Sequence, residues 1–303
     1  MLVSSVLILL LVASVSGEQY SNVASIFELG MGARPLAMGG AFVSLADDGN
    51  ALFYNAAGLA WRHDLSVVSS YEARPGTASY GNLSASLPHF GFGVHYFDFG
   101  DIPETDEYGN VIGTFGYRNY AFIAAAGVKA GDLPFLARMP FAENIGFGLD
   151  VKFVKIATLD PGNGTGLAID LPFLFRSDSP SPRIPIITSY GFGIVVENLI
   201  GLSIKYESGH QENWPRKLIL GVSAGFLDQL VLAMDVTSEK SIRLGVEWTP
   251  IPALSLRTGL KHEDIWMWSL GMGLRFRNFV LDLAVVPHPY MDSQIRGSLG
   301  VTW

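Results

Sequence analysis

From residue 64 onward the chain is written in a period of two. Ile242, Leu244, Val246 and Trp248 alternate with Arg243, Gly245 and Glu247, and Leu254 and Leu256 alternate with Ser255 and Arg257. Trp266, Trp268, Leu270, Met272, Leu274 and Phe276 alternate with Ser269, Gly271, Gly273 and Arg275. Successive side chains of a strand point to opposite faces. Each segment therefore has one face of bulky apolar residues and one of glycine, small polar or charged residues. That division suits a transmembrane antiparallel β-barrel with lipid outside and a polar lumen.

Composition leaves few alternatives. The chain is 49% hydrophobic and 16% charged, against about 25% charged in a typical soluble domain. Past Glu18 no apolar run has the length of a spanning helix, so apolar side chains must be hidden by alternation. There is no cysteine, which excludes disulfides, thiolate metal sites and a lipoprotein anchor. A formal charge of -8 argues against a nucleic-acid partner, because phosphate binding needs a basic surface. Residues 2–15 form an apolar run ending in Val15-Ser16-Gly17, which reads as a signal peptide over 1–17 with cleavage before Glu18. A short membrane anchor or a buried helix stays open there, although the run is shorter than the ~20 residues a spanning helix needs.

Fourteen alternating segments are expected: 64–72, 77–87, 90–99, 116–130, 144–157, 164–175, 190–199, 215–226, 228–237, 240–249, 252–262, 265–276, 278–287 and 291–303. An even count suits a single-chain barrel, and ~9–11 residues suffice for a tilted strand to cross a bilayer. The links at 249–252 and 277–278 are tight, as expected on the periplasmic side, whereas 101–114 and 201–214 are long and polar, as expected outside. Two links at 131–143 and 177–188 break this pattern: they are long and Pro-rich, yet fall on the short-turn side. The chain closes on Ser298-Leu299-Gly300-Val301-Thr302-Trp303. This alternation ending in Trp303 resembles an outer-membrane assembly signal read by the barrel-assembly machinery.

A lumen ringed by fourteen strands is too wide for its own side chains to fill, since eight strands already use that capacity. The segment before the first strand is the candidate filler. Its glycines allow tight turns, its apolar residues suit a glycine-rich wall, and Asp47-Asp48 can cap or pair with inward arginines. The expected organisation is a signal peptide at 1–17, a partly helical plug at 18–62 and a barrel at 63–303.

The stretch GARPLAMGGAFVSLADDGNALFYNAAGLA, residues 32–60, resembles the N-terminal signature of PorV/PorQ-like outer-membrane proteins, relatives of the FadL long-chain fatty-acid transporters. Arg34, Met38, Gly39, Gly40, Asp47, Asp48, Asn55 and Ala57 match its plug motif. Ala56 stands where the family usually has proline, which removes the rigid turn that proline would impose. WPRKLILGVSAGF, IRLGVEWTP, LSLRTGL and LGMGLRF also look like the family's C-terminal strands. The resemblance implies a plugged outer-membrane barrel, without enzymatic activity, that takes up hydrophobic, fatty-acid-like molecules and releases them laterally. The alternative it leaves open is a PorV-type component of type IX secretion that binds or shuttles secreted proteins. The partners implied are outer-membrane lipid and lipopolysaccharide, a hydrophobic ligand, and the assembly machinery.

No catalytic or cofactor-binding constellation is present. The six histidines lack ligand spacing and read as loop or interfacial residues; no metal or cofactor is expected. Residues 160–166 look like a phosphate or calcium loop but lack the P-loop lysine and the EF-hand glutamate, and read as a flexible outer loop. Asp101, Glu104, Asp106 and Glu107 read as a solvated acidic loop. The alternation places Asp150, Lys152, Asp170, Glu197, Asp235, Arg243, Glu247, Arg257, Lys261, Arg275, Asp282 and Arg296 inside. Both signs occur, as expected where wall and plug pair in a poorly hydrated lumen; a polar conduit is the other reading.

Overall fold

The computed structural model describes residues 26–73, 78–180, 184–201, 203–288 and 293–303. The expected signal peptide lies outside them. The strands are β1 (Ser66–Ala73), β2 (Ala78–Leu87), β3 (Phe90–Thr105), β4 (Val111–Lys129), β5 (Ile145–Ala157), β6 (Gly164–Ser177), β7 (Ile187–Ile200), β8 (Ser203–Tyr206), β9 (Gln211–Asn213), β10 (Lys217–Phe226), β11 (Leu230–Thr237), β12 (Ile242–Ile251), β13 (Leu254–His262), β14 (Trp266–Phe276), β15 (Phe279–Val286) and β16 (Gln294–Thr302).

Apart from the β8–β9 hairpin, each strand pairs antiparallel with its neighbours in sequence, β7 with β10 and β16 with β1. The result is a closed antiparallel barrel of 14 strands. Closure removes the edges that an open sheet would leave unpaired. The register matches the two-face pattern. Leu244 lies across from Met234 and Leu260, and Gly245 from Ala233 and Gly259. Trp266, Trp268, Leu270, Leu274 and Phe276 are all exposed, and this apolar outer face has no protein layer over it. Among the described residues no helix is long and apolar enough to cross a membrane; crossing by strands is a separate matter.

Three elements differ from the sequence reading. β3 and β4 continue through most of 101–114, leaving a turn at 106–110, with register shifts between Phe99 and Ile102 and between Glu104 and Thr105. Polarity hides this hairpin because a ladder satisfies its backbone whether or not a face is buried. The polar stretch 201–214 likewise contains β8 and β9, which pair with each other and with the start of β6. β7 begins at Ile187, three residues before the expected 190.

The long links at 130–144 and 178–186 join their strands at the end where Leu65 and Trp303 meet, with the Trp303 amide donating to the Leu65 carbonyl at 2.9 Å. The turns at 88–89, 227–229, 252–253 and 277–278 lie at this end too.

Candidate functional site

Residues 26–61 lie inside the ring and travel around its inner wall. The short helix Ala33–Ala37 packs on β13 to β16, and the 3-10 turn Ala56–Trp61 packs on β4, β5 and β6. Between them the chain passes Gly271, Gly259, Gly245, Gly193 and Gly148 on the wall. The approach is backbone to backbone. A Cβ on Gly259 would collide with the Gly39 amide nitrogen and the Met38 carbonyl carbon. Wall glycines on the inward face are thus the seat of this segment. Gly259→Val is expected to lift residues 38–40 off the wall while leaving the strand ladder formed. Faster proteolysis near residue 39 in the folded protein would register it; a wild-type pattern would count against this seating.

Gly39 and Gly40 have φ of 64° and 82°, a left-handed pair that turns the chain away from the helix at little cost. Ser269 on β14 anchors that turn, accepting from the Gly39 amide at 3.1 Å and donating to the Ala37 carbonyl at 2.9 Å. Met38 is buried with Ala41 and Ala233. Asp235 on β11 accepts from the Phe42 and Val43 amides at 2.8 and 3.0 Å. The Ala33 amide donates to Ser298 on β16 at 2.6 Å.

Asn55 supplies the next fixed point. Its side chain accepts from the Ala57 amide at 3.1 Å and donates to the Val43 and Phe173 carbonyls, each at 2.9 Å. This caps Ala56–Trp61 and ties it both to the preceding loop and to β6. Ala56 and Ala57 are fully buried. The turn that proline would stiffen is held here by the asparagine.

Arg34 stands at the centre of the charges. Its guanidinium meets Glu247 on β12 through two bonds of 2.8 and 3.0 Å, and reaches Asp47 at 2.6 Å and Asp48 at 3.0 Å. Glu247 also accepts from Arg257 on β13, which meets Asp282 on β15 at 2.6 Å. Alternating charges therefore run from the segment into three wall strands. One expectation is corrected. Asp47 and Asp48 pair with Arg34 of their own segment, not with wall arginines, because Arg34 occupies the space between them and Glu247.

Arg296 on β16 makes a second junction. It is completely buried, bonded to Glu72 on β1, and donates to the Leu29 and Gly30 carbonyls at 2.9 and 2.8 Å. Its guanidinium lies 4.8 Å from the centre of the Tyr80 ring, and Tyr80 itself donates to Gly30 at 2.7 Å. Lys152 pairs with Asp170 between β5 and β6 and faces the Phe27 ring at 4.6 Å.

Other inward assignments need correction. Arg275 keeps the inward parity but is exposed, because it sits next to the turn at 277–278 where the wall ends. Arg243 does lie inside, across from Asp235 on β11 and Lys261 on β13, but joins no ion pair among the described residues. His95 is neither a loop nor an interfacial residue. It is fully buried on the inner face of β3, with Nδ1 2.8 Å from the Tyr80 hydroxyl. Its period-two neighbours Gly93 and Phe97 carry the same parity, so alternation contained that signal. Residues 158–163 form an outer turn, with Asn163 donating to Asp160 and Glu207. Asp106 closes the β3–β4 turn by accepting from the Tyr108 and Asn110 amides. Among the described residues no group of three or more His, Asp or Glu is placed to hold a metal.

The sequence reading expected apolar residues from the plug but missed those that the wall contributes to the filling. One cluster joins Met31, Leu52, Leu59, Ile123 and Leu174, with Phe27, Phe53 and Trp61 against it. A second joins Ile26, Tyr80, Val154, Ile156 and Ile204, with Phe27, Tyr206 and Trp214 against it. The first reaches toward the end with the chain termini, and the second toward the β8–β9 hairpin. Phe27 touches both. An apolar column thus runs along the lumen between its two ends.

No protein-family model matches the chain, and neither does any curated protein. Solved structures do. The Pseudomonas putida toluene transporter TodX is 14% identical with a TM-score of 0.59, aligned over 90% of this chain and 98% of its own. The Ralstonia pickettii toluene transporter TbuX is 14% identical with a TM-score of 0.52 over the same shares. A Pseudomonas aeruginosa FadL homologue is 10% identical with a TM-score of 0.57, again over 90% and 98%. At such identities the likeness is one of fold: the chain is built as FadL-type barrels are.

Proposed function

We propose that this protein is an outer-membrane channel for hydrophobic small molecules, with residues 26–61 as its plug. The observation that carries the reading is the apolar column through Phe27 inside a barrel whose outer face is also apolar. A water-filled pore rejects an apolar solute, whereas an apolar column offers it a matching surface. The outer belt sets the barrel in a bilayer, because its exposed leucines and tryptophans are solvated only by lipid. The toluene that two of the neighbours transport supports an apolar substrate; a fatty acid and a monoaromatic compound both suit the column.

The type IX secretion reading asks for a broad outer surface that grips protein cargo. Among the described outer connections, the turns at 106–110, 158–163, 238–241 and 263–265 are short and only the stretch between β7 and β10 adds a hairpin, a modest surface that favours the channel.

Uptake decides the matter. A Gram-negative host lacking its own hydrophobic-compound channel, and expressing this chain, should accumulate labelled toluene or labelled oleate several-fold faster than the empty host. Phe27→Asp, which places a charge in the column, should remove most of that gain. Unchanged uptake of both compounds, with heat-modifiable barrel present in the outer membrane, would refute the reading.

A further inference from the structure

The link 131–143 is not built like a loop that faces water. It exposes Phe135 (78%), Phe141 (69%) and Met139 (48%). Its one arginine, Arg138, is exposed, while Glu143 is drawn back toward Lys129. About half of its backbone amides are satisfied from within. The Leu133 amide donates to Ala130, those of Leu136 and Ala137 to Leu133, that of Met139 to Leu136, and that of Asn144 to Phe141. Pro134 and Pro140 have no amide proton to satisfy. The turns shield part of the backbone, and the amides left over suit the hydrated headgroup zone, since unpaired backbone groups are what the hydrocarbon core penalises.

Its position says what covers it. The Phe141 ring meets Phe175 edge to face at 6.4 Å, and Phe175 stacks on Tyr190 at 6.1 Å. Phe175 and Tyr190 lie on the outward faces of β6 and β7, in phase with Leu171 and Phe192 and out of phase with Gly191, which faces Ser44 inside. Phe141 is held at φ 63°, which bulky residues rarely adopt, and in that strained state its ring extends the barrel's apolar belt. Asn144 donates to the Arg176 carbonyl at 2.8 Å and fixes the link to the end of β6. The neighbouring link continues the rim with exposed Ile184 and Ile186, tied to the β10–β11 turn by the Leu227 amide at 3.1 Å from the Ile186 carbonyl.

We infer that residues 133–141 form a membrane-embedded flange, seated among the phospholipid headgroups and upper acyl chains at the barrel's periplasmic rim. Phe135, Met139 and Phe141 enter the apolar zone, and Arg138 extends to the phosphates, as amphipathic side chains do at an interface. The flange anchors the β4–β7 side of the wall in depth. This rests on the bilayer reading above.

The absence of cysteine makes the test direct. Phe135→Cys and Met139→Cys are each labelled with a nitroxide in the full chain, which is reconstituted in phosphatidylethanolamine–phosphatidylglycerol vesicles. Oxygen and nickel-chelate accessibilities are then compared. Leu171→Cys on the outward face of β6 and Tyr108→Cys in the outer turn serve as references. The flange predicts an oxygen-to-nickel ratio at 135 and 139 several-fold above that at 108 and approaching that at 171. Equal ratios at 135, 139 and 108, with 171 in lipid, overturn the flange while leaving the barrel in its bilayer. A water-like ratio at 171 as well overturns both readings.

Discussion

A chain lacking residues 26–61 will conduct ions through a wide lumen that the full chain keeps closed. The barrel's ladder closes without that segment, through pairings such as β1 with β16 and β7 with β10. Eight strands already make a lumen that side chains can just fill, so fourteen leave space that wall residues do not span. Removing the segment exposes Glu247, Arg257 and Asp282 to water, where the Arg257 pairings weaken but no unpaired charge stays buried. The strands should therefore still assemble. Single-channel recording in planar bilayers reads the outcome: rare or no openings for the full chain, and a steady large conductance for the deletion. A full chain that already conducts as a wide pore, with nothing added by the deletion, would make the segment no plug.

Arg34→Met should release the plug without unfolding the barrel. The substitution leaves Asp47, Asp48 and Glu247 without their shared cation, although Glu247 retains Arg257. Breaking a buried pair costs about 3–5 kcal/mol. Asp47 and Asp48 keep about a third of their side-chain surface exposed, so the lower end of that range applies. Frequent flickering openings are expected, with heat-modifiable migration retained. Arg34→Lys keeps the charge but loses the two-pronged contact with Glu247, and should fall between.

Acid alone should do far less. Burial raises the Asp47 carboxyl, but the Arg34 guanidinium beside it more than reverses this and holds it well below the usual carboxylate range. An acid depressed in the folded state stabilises above its unfolded pKa of about 3.9, and that stability is lost as pH falls through the folded value. The contribution of Asp47 to closure should thus persist from neutrality down to about pH 4. Opening of the wild-type protein between pH 7 and about pH 5 would show that another group governs the latch.

Much of the architecture could be read along the chain because a barrel wall is a local pattern. Trp266 to Phe276 and Ile242 to Trp248 declare their two faces residue by residue, and antiparallel neighbours in sequence are neighbours in space. The arginine, the acid pair and the glycines of 32–60 likewise marked a segment made to pack inside. Their partners were not legible. That Asp47 and Asp48 meet Arg34, that Asp235 receives two backbone amides, and that Asn55 bridges to the Phe173 carbonyl all depend on how the segment winds around the lumen. The apolar column through Phe27 was equally hidden, since its members come from the N-terminal segment, from β2, β4, β5 and β6, and from the stretch around the β8–β9 hairpin.

The sequence by itself determined a closed wall with one apolar outer face and one face for a filled lumen, because the period of two assigns every side chain to a face before any contact exists. Only the tertiary structure decided which inward residues meet. Depth, winding and the pairing of charges depend on contacts between residues as far apart as Arg34 and Glu247, or Arg296 and Gly30. Local periodicity carries no information about such distances.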